Sequence, residues 1–278
     1  MKQFEQDSIG VFDSGVGGLS VLREIQKHLP HEKIIYFADQ AHVPYGSRSL
    51  EEVRTYAISI TRFLLDLKAK LIVIACNTAS AAALHDLRRI YPGVPFVGME
   101  PAVKPAAEAT LTGVIGILAT PATFQGALYA SVVERFAGNA TILQSTCPGL
   151  LEQIEKGDLF GNKTREILSK ALLPMIEKNV DAIVLGCTHY PFVIPVIRQI
   201  VGQKTRIIDP APAITRQVIR LLPTKEKGRS NLQTSYFTSG KVDNFKIIAE
   251  SLIDSQGEYL KAFWDEQELK ISDQNPRR

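Results

Sequence analysis

The chain has 278 residues, 45% of them hydrophobic, and a mean hydropathy of +0.01, values typical of a globular protein with one large or two compact domains. Its 32 Lys and Arg residues and 29 Asp and Glu residues are mixed along the chain without a basic stripe, so nucleic-acid binding is not expected. There is no run of about 18 apolar residues and no apolar secretion signal after the charged first residues, which predicts a cytoplasmic protein that does not enter the membrane.

Short apolar segments alternate with segments of helical spacing along most of the chain. This pattern predicts strands at residues 8–13, 33–38, 71–75, 94–98, 113–118, 140–144, 181–186 and 206–208. Beyond them, the predicted elements are a helix at 214–222, a polar loop at 224–228, a strand at 234–238, a helix through Phe245 and Leu252, and a frayed tail over about the last ten residues. Repeated strand and helix units are typical of parallel sheets.

Two similar segments indicate an internal repeat. Residues 10–14 open the first half of the chain and residues 116–120 the second, about 106 residues later. Cys76 and Cys187, which both follow predicted strands, lie 111 residues apart. These similar offsets predict two copies of one sheet.

The repeat defines the architecture that we expect. The fold class is α/β, with two pseudosymmetric domains that each contain a mostly parallel sheet flanked by helices. The first domain comprises residues 1–99 plus 210–278, and the second comprises residues 100–209. Ligands of parallel sheets bind just outside the carboxyl ends of the strands, so a site is predicted there, and it would be shared by the two halves if they face each other.

The cysteine pair suggests the chemistry of that site. Cys76 directly follows the apolar segment 71–75, and Cys187 follows 182–186, with polar residues after each. A free cysteine in an apolar strand is usually a core residue, but two at equivalent strand ends favour a functional pair. Thiols on opposite sides of one substrate can remove a proton from one face of a carbon and return one to the other. The pair therefore predicts a two-base racemase.

Each thiol needs help to act as a base, because the ordinary pKa of cysteine is about 8.5. Helices predicted at 78–89 and 191–200 would begin beside the two thiols and favour thiolates. His189 could relay a proton, although the residue could instead be a core or helix-capping histidine without a catalytic role. Asp13 ends the first strand, where ligands bind, although it could instead be only a turn residue.

The remaining cysteine differs from the pair. Cys147 lies in a predicted turn before Pro148 and has no counterpart in the other half, so it is expected to be structural. The three cysteines include no close pair and no CxxC motif, which predicts free thiols. No metal site is expected.

A glycine-rich segment at 15–18 suggests a competing function. It is similar to a dinucleotide-binding loop, and Asp39 stands about 20 residues further on, where a ribose-binding acid would lie. However, Ser20 replaces the third glycine of that motif, and Asp13 would repel a pyrophosphate. A backbone nest for a small carboxylate is favoured, and a dehydrogenase is kept as an alternative.

The segments that follow the predicted strands carry many hydroxyl and amide groups. Such donors can bind the carboxylates of an amino acid without a fixed positive charge. Lys104 is therefore not needed for binding and is expected on the surface. The groups concerned belong to Ser14, the turn-prone segment 43–48, Asn77, Thr78, Thr120 and Thr123.

Five motifs in chain order resemble the cofactor-independent aspartate/glutamate racemase family. They are FDSGVGGL at 12–19, PYG at 44–46, ACNTA at 75–79, GMEPA at 98–102 and LGCTHYP at 185–191, and the match covers residues 8–240. The resemblance implies two pseudosymmetric α/β domains with the active site in the cleft between them. It also implies interconversion of L- and D-glutamate without pyridoxal phosphate, metal or any other cofactor, and a supply of D-glutamate for bacterial peptidoglycan synthesis.

The resemblance further implies roles for individual residues. Cys76 is similar to the thiol that deprotonates D-glutamate, and Cys187 to the thiol that acts on the L-enantiomer. Asp13 matches the acid that assists the first thiol, His189 the histidine that assists the second, and Glu155 a further acid near the site. The positions that match substrate-binding residues are Asp13, Ser14, Tyr45, Gly46, Asn77, Thr78, Thr120, Thr123, Thr188 and His189.

Two positions depart from the family pattern. Glu152 stands where the family has a proline, which bears on the assignment of Glu155. Ala122 stands where the family has a glycine, which bears on the assignments of Thr120 and Thr123.

Two rival functions remain beside the dehydrogenase. An aspartate racemase of the same family would differ only in pocket depth, which the sequence does not reveal. A protein that binds an acidic amino acid without turnover would have no need of two aligned thiols. L- and D-glutamate are the expected ligands, and a homodimer is compatible with the sequence, which does not determine the oligomeric state.

Overall fold

Two parallel sheets form the framework of the protein. The computed structural model of the chain describes residues 8–222, 234–254 and 256–272. The first sheet begins with four strands that are connected by helices. In chain order these elements are β1 (Ser8–Asp13), α1 (Leu19–His28), β2 (Lys33–Ala38), α2 (Leu50–Asp66), β3 (Ala69–Ile74), α3 (Asn77–Ile90) and β4 (Phe96–Gly98).

The second sheet is formed by the next four strands. The elements of this part are α4 (Val103–Ala109), β5 (Val114–Ala119), α5 (Pro121–Gln125), α6 (Ala127–Phe136), β6 (Thr141–Ser145), α7 (Leu150–Glu155), α8 (Asn162–Ile176), β7 (Ala182–Gly186), α9 (Ile194–Val201) and β8 (Arg206–Ile208). The strand order is β6-β5-β7-β8, and all neighbours are parallel.

Beyond β8 the chain returns to the first sheet. The added elements are α10 (Ala211–Leu221), β9 (Thr234–Thr238), α11 (Val242–Leu252), β10 (Gly257–Asp265) and β11 (Glu268–Ile271). The order of this sheet is β11-β10-β9-β2-β1-β3-β4, in which the pairing of β10 with β11 is antiparallel. The predicted α/β fold with two mostly parallel sheets flanked by helices is confirmed.

Local sequence patterns explain these elements. β1 and β7 are buried at every position, as expected for central strands covered on both faces. At the start of α2, the side chains of Ser49 and Glu52 each accept a hydrogen bond from the other residue's backbone N–H, which satisfies amides that the helix leaves free. The apolar face of α2 is buried along Val53, Ala57, Ile60 and Leu64.

Among the described residues, the predicted elements differ from the structure in two regions. The helix predicted at 191–200 begins as a short 3-10 helix, Tyr190–Val193, and becomes α-helical only at α9. A frayed tail is wrong for residues 269–271, which belong to β11 and pair with β10, a hairpin that the sequence analysis missed. The predicted loop at 224–228 and the last residues, 273–278, lie outside the described part of the chain.

The two sheets share a buried apolar core. One cluster of fully buried side chains includes Ile9 and Leu19 from the first sheet's elements and Leu150 and Leu185 from the second's. The first sheet uses residues between 8 and 98 and between 234 and 271, and the second uses residues between 114 and 208. Domain boundaries at 99/100 and 209/210 stay a prediction.

Hydropathy along the helices bears on membrane insertion. Within the described residues, no helix combines the length and apolar character needed to cross a bilayer.

Candidate active site

The two sheets bring Cys76 and Cys187 to one place. β3 and β7 are inner strands, and each thiol lies just beyond the carboxyl end of its strand. Both cysteines are only 5% exposed, and both line the same small cavity. This is the sheet edge at which ligands of parallel sheets bind.

The cavity is lined mainly by residues that the sequence analysis selected. Its free volume is about 10 Å³, roughly the space of one water molecule. The lining residues are Ser14, Tyr45, Gly46, Cys76, Asn77, Thr78, Thr120, Leu151, Cys187, Thr188 and His189. Among the predicted site residues, Asp13, Thr123 and Glu155 are absent from this lining and contact residues that form it.

Asp13 is a fully buried carboxylate on the Cys76 side of the cavity. Its Oδ2 accepts hydrogen bonds from the backbone N–H groups of Gly15 at 3.2 Å and Gly18 at 2.9 Å. The Thr188 hydroxyl donates to Oδ1 at 3.5 Å. Burial raises the pKa of Asp13, although the His189 charge and these amides oppose the shift. A carboxyl group in this setting can exchange a proton with a neighbouring thiol.

Cys76 is buried close to the carboxyl group of Asp13. Its Sγ accepts a long hydrogen bond, 3.5 Å, from the Ala79 N–H at the start of α3, the helix that the sequence predicted after Cys76. Burial raises the pKa of the Cys76 thiol well above its usual range, and the charge of Asp13 adds to that shift. The expectation that the helix N-terminus makes Cys76 thiolate-like is therefore wrong, because desolvation outweighs one amide contact.

Cys187 is joined to a histidine and a glutamate. His189 Nδ1 lies 3.7 Å from Cys187 Sγ, and His189 Nε2 lies 2.6 Å from Glu155 Oε1. Burial disfavours the charged imidazole, but the contacts of His189 with Cys187 and Glu155 outweigh it and hold the pKa of His189 well above its usual range. Burial likewise opposes ionisation of Glu155, yet its contact with His189 holds the pKa of Glu155 below its usual range.

The group beside Cys187 differs from the helix N-terminus that the sequence predicted. No α-helix begins directly after Cys187, since Tyr190–Val193 is a 3-10 turn and α9 starts at Ile194. Where a helix N-terminus was expected, His189 lies beside Cys187, and Glu155 on the far side of the ring favours the positively charged imidazole. The predicted proximity of His189 to Cys187 is present in the structure.

Hydroxyl and amide groups lie in or next to the lining of the cavity. The hydroxyls of Thr78 and Thr120 are 2.9 Å apart, and the hydroxyl of Thr123 lies 2.9 Å from that of Thr120. Asn77 is 3% exposed, and neither atom of its side-chain amide has a hydrogen-bond partner among the described residues. Because a buried amide without partners is costly, Asn77 is positioned to bind a polar ligand.

The family departures leave this arrangement in place. Ala122 is buried in α5 between Thr120 and Thr123, which both face Thr78. Glu152 lies on α7 and does not line the cavity.

Leu151 and Gln40 contribute to the site but were not predicted. Leu151 lines the cavity from α7, and the Gln40 amide donates to Glu155 Oε2 at 3.5 Å. Leu151 stands four residues before Glu155, so helical spacing could have indicated the shared face. No sequence signal predicts the contact of Gln40 with Glu155, because the two residues are 115 positions apart and lie in different elements of the fold.

Asp39, considered above as a ribose-binding acid, is fully buried and already has four partners. Its Oδ1 accepts from the Ser239 hydroxyl at 2.7 Å and from Trp264 Nε1 at 2.8 Å. Its Oδ2 accepts from the Tyr45 hydroxyl at 2.6 Å and lies 2.9 Å from His42 Nδ1. The carboxylate joins the loop of Tyr45 to β9 and β10, which disfavours the dinucleotide interpretation.

Replacing Asp39 by asparagine is expected to lower the free energy of unfolding by about 2 to 4 kcal/mol, because the amide NH₂ would replace an oxygen that accepts hydrogen bonds. Urea unfolding measures this change. The exposed Asp66 provides the control, and Asp66→Asn is expected to stay within about 0.5 kcal/mol of the parent. Equal stability of both variants would show that the Asp39 contacts contribute nothing net.

Cys147 behaves as a core residue, as predicted. It is 3% exposed, and burial raises the pKa of its thiol to about 12. We expect iodoacetamide at neutral pH to leave Cys147 unmodified and to alkylate Cys187, which lies beside His189, and we expect added glutamate to block that alkylation. Peptide mass mapping measures the order. Early modification of Cys147 with no effect of glutamate would contradict the assignment of the cavity.

Comparisons with known proteins agree with this geometry. Residues 9–218 match the Asp/Glu/Hydantoin racemase family. The chain is 50% identical over 221 residues to a glutamate racemase of Pseudomonas aeruginosa, covering 80% of this chain and 83% of that protein.

Solved structures give the same result. The crystal structure of glutamate racemase isoform RacE1 from Bacillus anthracis superposes with a TM-score of 0.84 at 32% identity, covering 94% of this chain and 98% of that one. Escherichia coli glutamate racemase, crystallised with L-glutamate and the activator UDP-MurNAc-ala, superposes with a TM-score of 0.79 at 29% identity, covering 91% and 98%. The chain belongs to the Asp/Glu/Hydantoin racemase family, whose members are isomerases.

Proposed function

We propose that the protein interconverts L- and D-glutamate, with Cys76 and Cys187 as the two bases. The observation that carries this proposal is the position of the thiols, which end inner strands of two different sheets and line one cavity. A substrate held between them would present one face of its α-carbon to each sulfur. The glutamate racemases that resemble the chain support glutamate as the substrate.

The proposed reaction of L-glutamate begins at Cys187. A Cys187 thiolate, paired with the His189 imidazolium, takes the α-proton and leaves an α-carbanion. The Cys76 thiol, whose raised pKa keeps it protonated, then delivers a proton to the opposite face and becomes a thiolate. Asp13 and His189 exchange the thiol protons with solvent and restore the starting state. D-glutamate follows the same steps in reverse.

The carbanion requires stabilisation because an α-proton is only weakly acidic. Among the described residues, the cavity lining contains no Lys or Arg, so uncharged donors must bind the carboxylates. The unpaired amide of Asn77 and the hydroxyls of Thr78, Thr120, Ser14 and Thr188 are the donors that we assign to this task.

Glutamate is distinguished from aspartate by one methylene. Such a difference in a pocket is worth about 1–3 kcal/mol, a preference of roughly 10- to 200-fold in kcat/KM. We propose that this preference favours glutamate.

The cellular setting follows from the product. We propose that the protein acts in the cytoplasm, where its D-glutamate is used for peptidoglycan synthesis. We also propose a homodimer, and sedimentation analysis would test it.

Incubation of L-glutamate with the purified protein in heavy water tests the proposed function. We expect optical rotation to disappear with nothing else added. The first D-glutamate should be fully deuterated at the α-carbon, because Cys76 carries a solvent deuteron, whereas recovered L-glutamate should at first retain protium. Chiral chromatography with mass spectrometry measures both. Protium in early D-glutamate would reject two bases, and persistent optical rotation would reject racemisation and favour a binding protein.

A further inference from the structure

The glycine-rich segment between β1 and α1 packs against the second sheet's half of the site. A Cβ atom on Gly15 would lie 2.0 Å from Glu155 Oε1, and one on Gly17 would lie 2.2 Å from His189 Nδ1. Both distances are far too short for non-bonded atoms. The two glycines therefore make room for Glu155 and His189, and no nucleotide is needed to explain them.

The same segment also donates hydrogen bonds to that half of the site. The Val16 N–H donates to Glu155 Oε1 at 2.9 Å. The Ser20 hydroxyl, which is 2% exposed, donates at 2.9 Å to the backbone oxygen of Thr188, the residue between Cys187 and His189. Ser20 stands in place of the third glycine of the dinucleotide motif. Its hydrogen bond joins two residues that are 168 positions apart in the sequence.

We infer that Gly17 and Ser20 are positioning residues that hold the turn from Cys187 to His189 at a set distance from the first sheet. Cys76 belongs to that sheet, so the contact aligns the second thiol with the first across the substrate. This inference rests on the proposed function and on the assignment of Cys187 to L-glutamate. The glycine-rich segment would thus position the second half of the site, a role beyond the carboxylate binding that the sequence predicted for it.

Two substitutions test the inference. Ser20→Ala removes the donor and leaves the Thr188 carbonyl oxygen buried without it, so we expect kcat to fall about 10-fold. Gly17→Ala places a methyl group against His189, so we expect a fall of about 100-fold, as for a displacement of about 1 Å. Gly17→Ala also keeps the inference testable if Ser20→Ala does not fold.

Each variant has a matched control. Ser8→Ala removes a buried hydroxyl that has no hydrogen-bond partner among the described residues. Gly93→Ala adds a methyl group where no atom lies within 4 Å. Both controls are expected to racemise at the parent rate. Thermal unfolding of all four variants separates activity from stability.

Isotope effects separate a positioning role from general damage to the fold. The equilibrium constant between enantiomers is unity, so kcat/KM changes equally in both directions and cannot identify the affected thiol. If proton transfer at Cys187 alone becomes slower, the deuterium isotope effect with α-deuterated L-glutamate should rise. The effect with α-deuterated D-glutamate should fall, because abstraction by Cys76 then limits the rate less.

The outcomes are distinct. Opposite changes of the two isotope effects in Ser20→Ala or Gly17→Ala support the inference. Parent-like rates in both variants, or isotope effects that change in the same sense for both enantiomers, overturn the inference. The proposed function stays intact in that case if the parent and the controls racemise glutamate. A parent protein that does not racemise glutamate overturns both.

Discussion

Replacing either Cys76 or Cys187 by alanine is expected to reduce racemisation by about three to four orders of magnitude in both directions, because each substitution removes one of two obligatory bases. The two thiols are not interchangeable, since they lie beyond strands of different sheets. Chiral chromatography of glutamate gives the residual rate. Both cysteines are small, so the cavity left by alanine is modest and circular dichroism should remain that of the parent.

Cys147 is the matched control for these variants. It is as buried as the pair but does not line the cavity, so Cys147→Ala should racemise at the parent rate. Racemisation near the parent rate in Cys187→Ala would reject the two-thiol mechanism.

Asp13→Asn and His189→Asn are expected to lower kcat by about two to three orders of magnitude, because each removes the group that exchanges a proton with its thiol. An asparagine at position 13 can still accept hydrogen bonds from Gly15 and Gly18 through its amide oxygen, so the loop should keep its fold. Steady-state rates in both directions measure the loss. A large rise in KM with unchanged kcat would instead assign these residues to substrate binding alone.

Asp209 supplies a control for the carboxylate substitution. Burial raises its pKa as it does for Asp13, but Asp209 accepts a hydrogen bond from the Ala211 N–H at the start of α10, outside the cavity lining. Asp209→Asn should leave both rates unchanged. A comparable loss in Asp209→Asn would mean that the Asp13 effect reports general stability.

The sequence by itself determined the sheet framework and the two thiols. Buried parallel strands are short, continuous apolar runs, so their ends could be located from the residues around Cys76 and Cys187. Ligands bind at such ends, which selected the polar residues of the same edge. The hairpin of β10 and β11 was not predicted because β10 is mostly half-exposed and has no long apolar segment.

Only the tertiary structure decided how the two halves act on each other. Glu155, at the end of α7, contacts Val16 and Gln40, which lie in loops after β1 and β2, and no local sequence pattern predicts contacts between such distant parts of the chain. The pKa of Cys76 rises because burial by the folded protein outweighs the adjacent helix N-terminus, a balance that depends on packing. The glycine-rich segment similarly gains its partners, Thr188 and His189, only when the sheets come together.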